Sequence, residues 1–475
     1  MNLAILITDQ KYYRNYIESQ VLEQLSNFYN IFLLVDPLVT LNPKLVYDSK
    51  KIFEMELNSR KGIRRLGFIE EVVRTHFRFM SISFQFREKR FYPAYKEFFR
   101  LNDRNVLTLS PFSIARKARR FAKGNFLFIR SRFRKSILYF CAFRPFFFVL
   151  IRIFHRMDFS IPDLNAFLDK QSIDLLIIPS GGREPAAVMS IASCDAVGIK
   201  SLLLLDNWDN VSSKTVFWKK PTFLGTWGPQ SSSHAISIQN FTPSQVFDLG
   251  TPRFDVYLNE NELSDQSHER ENEGYILFLG SHLFFEEIEI LRRMDTILAD
   301  SNSELFGFRV VYRPHPHRIK GFDFFSYLFE NVKLDQELVA HYSAEKKSSQ
   351  YVTTLDHYPK LVSGSIFVLC GLTSMIIESR ILGKPVGVFV HSEHGNATSP
   401  HTVYSNYIHF AGIENLSDVV LISELSNLEQ FLAELLGLAN HASVSDPNLD
   451  YFITTNPASY SERLRGAIDQ IVCKF

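Results

Sequence analysis

Phe367–Val386 reads FVLCGLTSMIIESRILGKPV, and its order of apolar and punctuating residues decides the fold class. The run to Cys370 is continuously apolar, as expected of a strand covered on both faces of a parallel sheet. Gly371 breaks the run, and Thr373 and Ser374 then open a helix. Gly383-Lys384-Pro385 closes that helix and launches the next strand. Strand, helix and strand in immediate succession form a βαβ unit, which requires parallel strands.

The same rhythm extends outward from this stretch. Tyr275–Leu279, Phe308–Tyr312, Pro385–Val390 and Val419–Ile422 are short apolar runs. Helical patterns at Phe285–Ala299, Met375–Leu382 and Leu428–Leu438 lie among them. Upstream, Asn2–Thr8, Asn30–Val35, Asp174–Pro179, Lys200–Asp206, Thr222–Gly225 and Gln245–Leu249 form an earlier series, with amphipathic Tyr12–Phe28 read as the first helix. Between the two series, Asn259–Gly274 is polar and acidic and reads as a linker. The expected organisation is an α/β protein of two Rossmann-like, doubly wound domains facing a cleft, 1–258 and 275–455. Linker 259–274 joins them, and a terminal helix in 456–475 packs back on the first domain.

Composition narrows the class. At 475 residues, 46% hydrophobic and 22% charged, the chain can bury two cores and does not read as disordered. The four cysteines, Cys141, Cys194, Cys370 and Cys473, are widely spaced with no CxxC pair. That argues against a zinc ribbon or a disulfide framework and fits a reducing compartment. The opening MNLAILIT is a first buried strand rather than a signal peptide, so a cytoplasmic location is expected.

The net charge of +1 conceals strong segregation. Residues 61–156 carry 23 Lys/Arg against 5 Asp/Glu, a local balance of +18, so the remainder carries −17. In this insert basic residues interleave with Phe and Tyr, and it ends ILYFCAFRPFFFVLIRIFHR. Arg144, Pro145 and Arg152 interrupt the apolar run, and each Arg at mid-bilayer costs about 2.5–3.5 kcal/mol. Such helices prefer the interface plane, so 61–156 is expected to dock peripherally on an anionic membrane surface. Core helices with solvated basic faces are the alternative. No helix-turn-helix or RNP-like signature supports nucleic acid.

Two strand ends carry chemistry. FRVVYRPHP, Phe308–Pro316, is a buried strand running into Arg313-Pro314-His315-Pro316-His317. Arg313 brings a permanent cation, His315 and His317 bring further donors, and the prolines stiffen their presentation. At the second strand end, helix-start N–H groups and the hydroxyls of Thr373 and Ser374 suit a phosphate. Glu378 lies one turn further on the same face, placed for ribose hydroxyls.

These elements resemble a family. RPHP followed by G-x-[ST]-S-x-x-x-E-x-x-x-x-G-K-P-V resembles the CDP-glycerol glycerophosphotransferases and the capsule-type Kdo and sialic acid transferases. It resembles the non-hydrolysing UDP-N-acetylglucosamine 2-epimerases more loosely. DNWDNVSSKT at Asp206–Thr215, GTWGPQSSSHA at Gly225–Ala235 and GTPRFD at Gly250–Asp255 are similar to surface carbohydrate biosynthesis proteins. The resemblance covers roughly 174–410 and not the basic insert.

It implies a GT-B fold in which 275–455 binds the nucleotide donor and 1–258 faces the acceptor. It makes His315, Thr373 and Ser374 ligands of the donor phosphates and Glu378 a ribose contact, with Gly280, Ser281 and Gly371 in the donor loops. The implied activity is inverting transfer of a sugar from a nucleotide-activated donor to a free or lipid-linked bacterial surface glycan (capsule, O-antigen or teichoic-acid-like) at the cytoplasmic membrane face. CDP-alditol phosphotransfer, 2-epimerisation and a non-catalytic membrane adaptor are the alternatives. Neither a metal nor another cofactor is expected: no DxD triplet stands at a strand end, so leaving-group charge falls on Arg313, His315 and helix N–H groups. The three histidines of His391–His401 match no metal-ligand spacing and read as a polar loop.

Inversion needs a general base on the first domain. Asp209 and Glu184 lead as candidates, with Asp206 beside them, and all three follow predicted strands. Local helix capping or an Arg partner is the competing role for each. Asn207, Trp208 and Asn210 are acceptor-side candidates, Trp208 as a sugar-stacking face, and Ser212, Ser213 and Lys214 as contacts to acceptor or phosphate. His234 and Arg253 stand in polar loops without an assigned role.

Overall fold

The computed structural model describes residues 1–41, 51–57, 66–69, 71–73, 137, 140–141, 144–217, 219–258, 274–283, 285–315, 324, 327–343, 353–393, 396, 399–441, 446–454 and 458–473. Most of the basic insert, the linker from 259 to 273, and His317 lie outside the described residues.

The first domain contains β1 (Asn2–Ile7), β2 (Asn30–Val35), β3 (Ile52–Glu54), β4 (Leu175–Ser180), β5 (Lys200–Leu205), β6 (Phe223–Thr226) and β7 (Val246–Asp248). They form one sheet in the order β3-β2-β1-β4-β5-β6-β7. The second domain contains β8 (Tyr275–Leu279), β9 (Val310–Arg313), β10 (Val332–Leu334), β11 (Ser365–Cys370), β12 (Val386–Phe389) and β13 (Val419–Ile422), in the order β10-β9-β8-β11-β12-β13. Adjacent strands pair parallel in both sheets; Leu3, for instance, lies opposite Ile31 on β2 and Leu175 on β4. The architecture is the expected pair of doubly wound α/β domains.

Parallel strands buried on both faces explain the unbroken apolar runs. On β1, Leu3, Ile5 and Ile7 join one core, while Ala4 and Leu6 join the core on the opposite face. The helix Tyr460–Cys473 completes the former, inserting Tyr460, Leu464, Ala467, Ile468 and Ile471 beside β1. Their spacing of three and four keeps them on one helical face. A further apolar cluster belongs to both domains: Trp208, Trp227, Phe254 and Tyr257 of the first pack with Leu277, Ile376, Phe410 and Phe452 of the second.

Two features depart from the sequence reading. β3 and β10 were not expected; each is a three-residue edge strand with an exposed charge, Glu54 or Lys333, and so has no apolar run. Tyr12–Phe28 is not one helix either. It breaks into Gln10–Tyr13, a π-helical turn Arg14–Glu18 and Val21–Ser26, with Gln20 in the left-handed region at φ 63°. The wide turn keeps Tyr12, Tyr13, Tyr16 and Ile17 buried, and Gln20 halts helix propagation. Among the described residues no helix is long and apolar enough to cross a membrane.

Candidate functional site

In each sheet the strand order reverses direction beside its first strand, between β1 and β4 and between β8 and β11. Loops leaving the strand ends at such a point diverge and leave a crevice. Here the two crevices face each other. A cavity of about 240 Å³ lies between them, walled by Arg14, Asn207 and Arg253 of the first domain and by Gly280, Arg313, His315, Thr373 and Ser374 of the second. Glu378 is the one carboxylate on its described wall, which also carries three arginines.

Arg313 carries a built-in counter-charge. It is 1% exposed, at the end of β9, and its Nη1 donates to Asp335 Oδ2 at 2.6 Å. His357 Nε2 stands 3.3 Å from the same Oδ2, and its Nδ1 pairs with Glu337. Burial alone would raise the Asp335 pKa, but bonding to His357 and the Arg313 charge hold it below the usual carboxylate value. Burial alone would lower that of His357; its two carboxylates reverse this and raise it.

A folded-state pKa above the unfolded one means protonated His357 favours the native state. That contribution is complete below about pH 6.5, the unfolded value, and is lost as pH rises through the raised native value. His357→Gln should therefore flatten the stability profile across that window. Urea melts from acid to mildly alkaline pH check it, and an unchanged slope would exclude His357 as the titrating group.

Glu378 spans the domains. Its Oε1 accepts from Arg253 Nη2 at 3.2 Å and from the Ser374 hydroxyl at 2.9 Å, and its Oε2 accepts from the Tyr257 hydroxyl at 2.6 Å. Burial and this carboxylate together push the Tyr257 phenol well above its usual pKa. Glu378 thus ties the helix Pro252–Leu258 to the helix Met375–Ile381, and a ribose hydroxyl would have to exchange with one of these donors.

The approach of β8 to the His315 loop requires a glycine. A Cβ on Gly280 would stand 2.8 Å from Glu287 Oε2 and 2.9 Å from the His315 nitrogen. Glu287 is itself buried and fixed by the Ser281 N–H at 3.1 Å and the Tyr312 hydroxyl at 2.6 Å. Gly371 is equally close-packed: its Cβ would meet Ser281 Oγ at 2.9 Å and the Phe285 ring at 2.7 Å. Ser281 and Gly371 therefore support the loops from beneath and do not line the cavity.

The first-domain candidates are distributed differently. Asp206 pairs with Lys11 at 2.5 Å. Glu184 accepts from the Ser180 hydroxyl at 2.5 Å and from the Gly181 and Arg183 N–H groups at 3.2 and 3.1 Å, closing its loop on itself. Burial would raise its pKa; the Ser180 bond and the Lys11 charge lead the effects that lower it instead. Asp209 pairs with Lys214 at 2.7 Å; burial would raise its pKa, but Lys214 and then His409 lead the effects that lower it instead.

Trp208 is buried against the rings of His409, Phe410 and Phe452, at centroid distances of 5.3 to 5.7 Å. Ser212 Oγ lies 3.2 Å from His409 Nδ1, and burial drives that imidazole down to about 3. Asn210 and Ser213 are buried in the same segment. Of Asp206–Lys214, only Asn207 reaches the described cavity wall. His234 is buried, with its pKa lowered to about 4 by desolvation. In the His391–His401 loop, His391 Nε2 stands 3.2 Å from Glu393 Oε1, and His394 lies outside the described residues.

Sequence reasoning missed Arg14, because a π turn cannot be told from an ordinary helix by periodicity. Its Nη1 donates to Thr353 O at 3.0 Å, reaching across to the second domain. Arg253 was legible only as part of GTPRFD; its guanidinium sits 4.9 Å from the Trp227 and Phe254 ring centroids. Tyr358, beneath Arg313 at 5.9 Å, carried no signal.

The sequence matches no family model and no curated relative. Solved structures do resemble it. A UDP-GlcNAc 2-epimerase from Methanocaldococcus jannaschii is 10% identical with a TM-score of 0.52, covering 98% of this chain and 99% of that one. A protein assigned as a UDP-N-acetylglucosamine 2-epimerase in Listeria monocytogenes is 9% identical at a TM-score of 0.51, covering 100% and 97%. At such identity the likeness establishes the fold alone, the two-domain GT-B arrangement.

Proposed function

We propose that the chain is a metal-independent, inverting glycosyltransferase that moves a sugar from a nucleotide-activated donor to a bacterial surface glycan at the cytoplasmic membrane face. One observation carries the reading: Arg14, Arg253, Arg313 and His315, from both domains, converge on one interdomain cleft. Three fixed guanidinium charges beside an imidazole, in a partly enclosed crevice, suit a diphosphate and the charge that grows on it as the sugar departs. At about 240 Å³ the cavity holds the phosphate end of such a donor, below the roughly 300–1,000 Å³ of whole-ligand pockets. Nucleoside and sugar extend along the open cleft, with Thr373 and Ser374 beside the phosphates and Glu378 near the ribose.

Thermal melts with UDP, CDP, CMP and GDP, each with Mg²⁺ and with chelator, test this. At 100-fold over Kd a ligand stabilises by about 2.7 kcal/mol, a rise of about 5–11 °C. The expected result is a rise with one nucleotide, unaffected by chelator. No rise with any of them would remove the donor site, and a rise abolished by chelator would remove metal independence. Epimerisation is the competing chemistry, because the two similar structures carry that assignment. An epimerase converts donor alone, whereas a transferase consumes it at speed only with acceptor.

Membrane docking has its own support. On the helix Arg144–Arg156, Phe146, Val149 and Ile153 are exposed at intervals of three and four, and Phe140 stacks on Phe146 at 4.1 Å. Arg152 and Arg156 are also exposed, while Phe154 is buried in the first-domain core. An apolar stripe with basic neighbours suits the plane of an anionic leaflet. Val149→Glu with Ile153→Glu should weaken binding to phosphatidylserine-containing vesicles on the order of 100-fold, from about 3 kcal/mol of lost burial. Unchanged sedimentation with vesicles would eliminate this helix as the docking surface.

A further inference from the structure

A second and larger cavity, of about 640 Å³, opens beside the cationic cleft and shares its Thr354–Leu355 wall. We propose that it is the subsite for a neutral polyhydroxyl chain, the glycan acceptor; the assignment rests on the reading of the cleft as the donor site.

Charge separates the two cavities. Glu18, Asp255 and Asp356 line the second, with the amides of Gln20 and Gln24, and among the described residues no Lys or Arg does. A phosphate finds no cation on this described wall, whereas it finds arginines next door. Sugar hydroxyls are suited to it, because carboxylates accept from them and amides both donate and accept. Existing bonds leave capacity: Asp255 takes the Tyr460 N–H at 2.7 Å and stands 3.7 Å from Arg463 Nη2, and Asp356 pairs with Lys360, yet a carboxylate offers about four lone-pair sites. The volume is of the size that holds a whole small ligand, about 300–1,000 Å³.

The same elements serve both cavities. Along the π turn, Arg14 lies on the cleft and Glu18 on the neighbouring wall. On the helix Pro252–Leu258, Arg253 and Tyr257 line the cleft, while Asp255 and Val256 line the second cavity. The two cavities are thereby adjacent, and a chain seated in the second can reach the donor only where they meet, at Thr354–Leu355. Of the segment Asn207–Lys214, read from sequence as the acceptor contact, Trp208 and Ser212 are taken up by packing between the domains.

Val256→Trp tests the assignment by filling the cavity without altering Arg253 or Tyr257. Neutral oligosaccharides of hexose and N-acetylhexosamine units are titrated calorimetrically into full-length protein saturated with whichever of UDP, CDP, CMP and GDP raises its Tm. The expected result is that the wild type and Val256→Leu bind an oligosaccharide and Val256→Trp loses it, while all three keep the same nucleotide-induced rise in Tm. Retained oligosaccharide binding in Val256→Trp overturns the proposal, as does a nucleotide-loaded wild type that binds none. Loss of the nucleotide response in Val256→Trp would place the nucleotide in this cavity and also overturn it. Failure of every nucleotide to stabilise the wild type defeats the donor reading instead, and titration of the nucleotide-free proteins still reports whether the cavity takes a glycan.

Discussion

Asp335→Ala should cost about 3–5 kcal/mol of stability, the penalty for leaving a buried charge without its partner. Arg313 cannot turn to solvent: it is 1% exposed, and Asp335 is the carboxylate that meets it, at 2.6 Å. The same substitution removes one of the two carboxylates around His357, so the loss is not confined to a single bond. At roughly 2–4 °C per kcal/mol for a domain of this size, Tm should fall by about 6–20 °C.

Replacing both partners separates structure from function. Arg313→Met with Asp335→Leu removes the buried charges together and should recover much of the lost stability, since apolar replacement of a buried pair is often neutral. It should not recover nucleotide stabilisation, because the cation is gone from the cleft. A loss below about 1 kcal/mol for Asp335→Ala would mean that Arg313 finds other compensation and that its burial is not maintained by this pair.

What the sequence disclosed follows from where the information sits along the chain. β1, β4, β8 and β11 are central, buried on both faces, and betray themselves as unbroken apolar runs. β3 and β10 close the sheet edges with three residues each and leave no such trace. On the donor side, Arg313-Pro314-His315 and Thr373-Ser374 occupy contiguous strand-end positions, so reading order and spatial order coincide.

The acceptor side is different. Asp206, Asp209 and Glu184 also follow strands, but whether a strand-end carboxylate is free or satisfied depends on how the loop after the strand folds; Glu184 is satisfied within its own loop. For Asp206 the partner is Lys11, far away in the chain; for Asp209 it is Lys214, in a segment closed by His409 of the other domain. Arg14 was hidden for the complementary reason: its place on the cleft depends on a π turn within an apparently ordinary amphipathic stretch.

His315→Ala should lower turnover by about 10²–10³-fold, the loss seen when one preorganised donor to a developing oxyanion is removed. Unlike Arg313, His315 is only half-buried and lies on the loop that follows β9, so its removal should leave Tm unchanged. The arginines predict a different signature. Arg14 and Arg253 are held by protein acceptors, Thr353 O at 3.0 Å and Glu378 Oε1 at 3.2 Å, and thus present standing charge to the donor whether or not it reacts. Their loss should chiefly raise KM, whereas loss of a donor that strengthens its bond only as the sugar departs should chiefly lower kcat. Steady-state donor consumption in the presence of acceptor separates the two, and His315→Gln, which keeps an N–H donor, should restore part of the rate. Near-normal turnover by His315→Ala would remove this imidazole from the transition state and leave the departing charge to the three arginines alone.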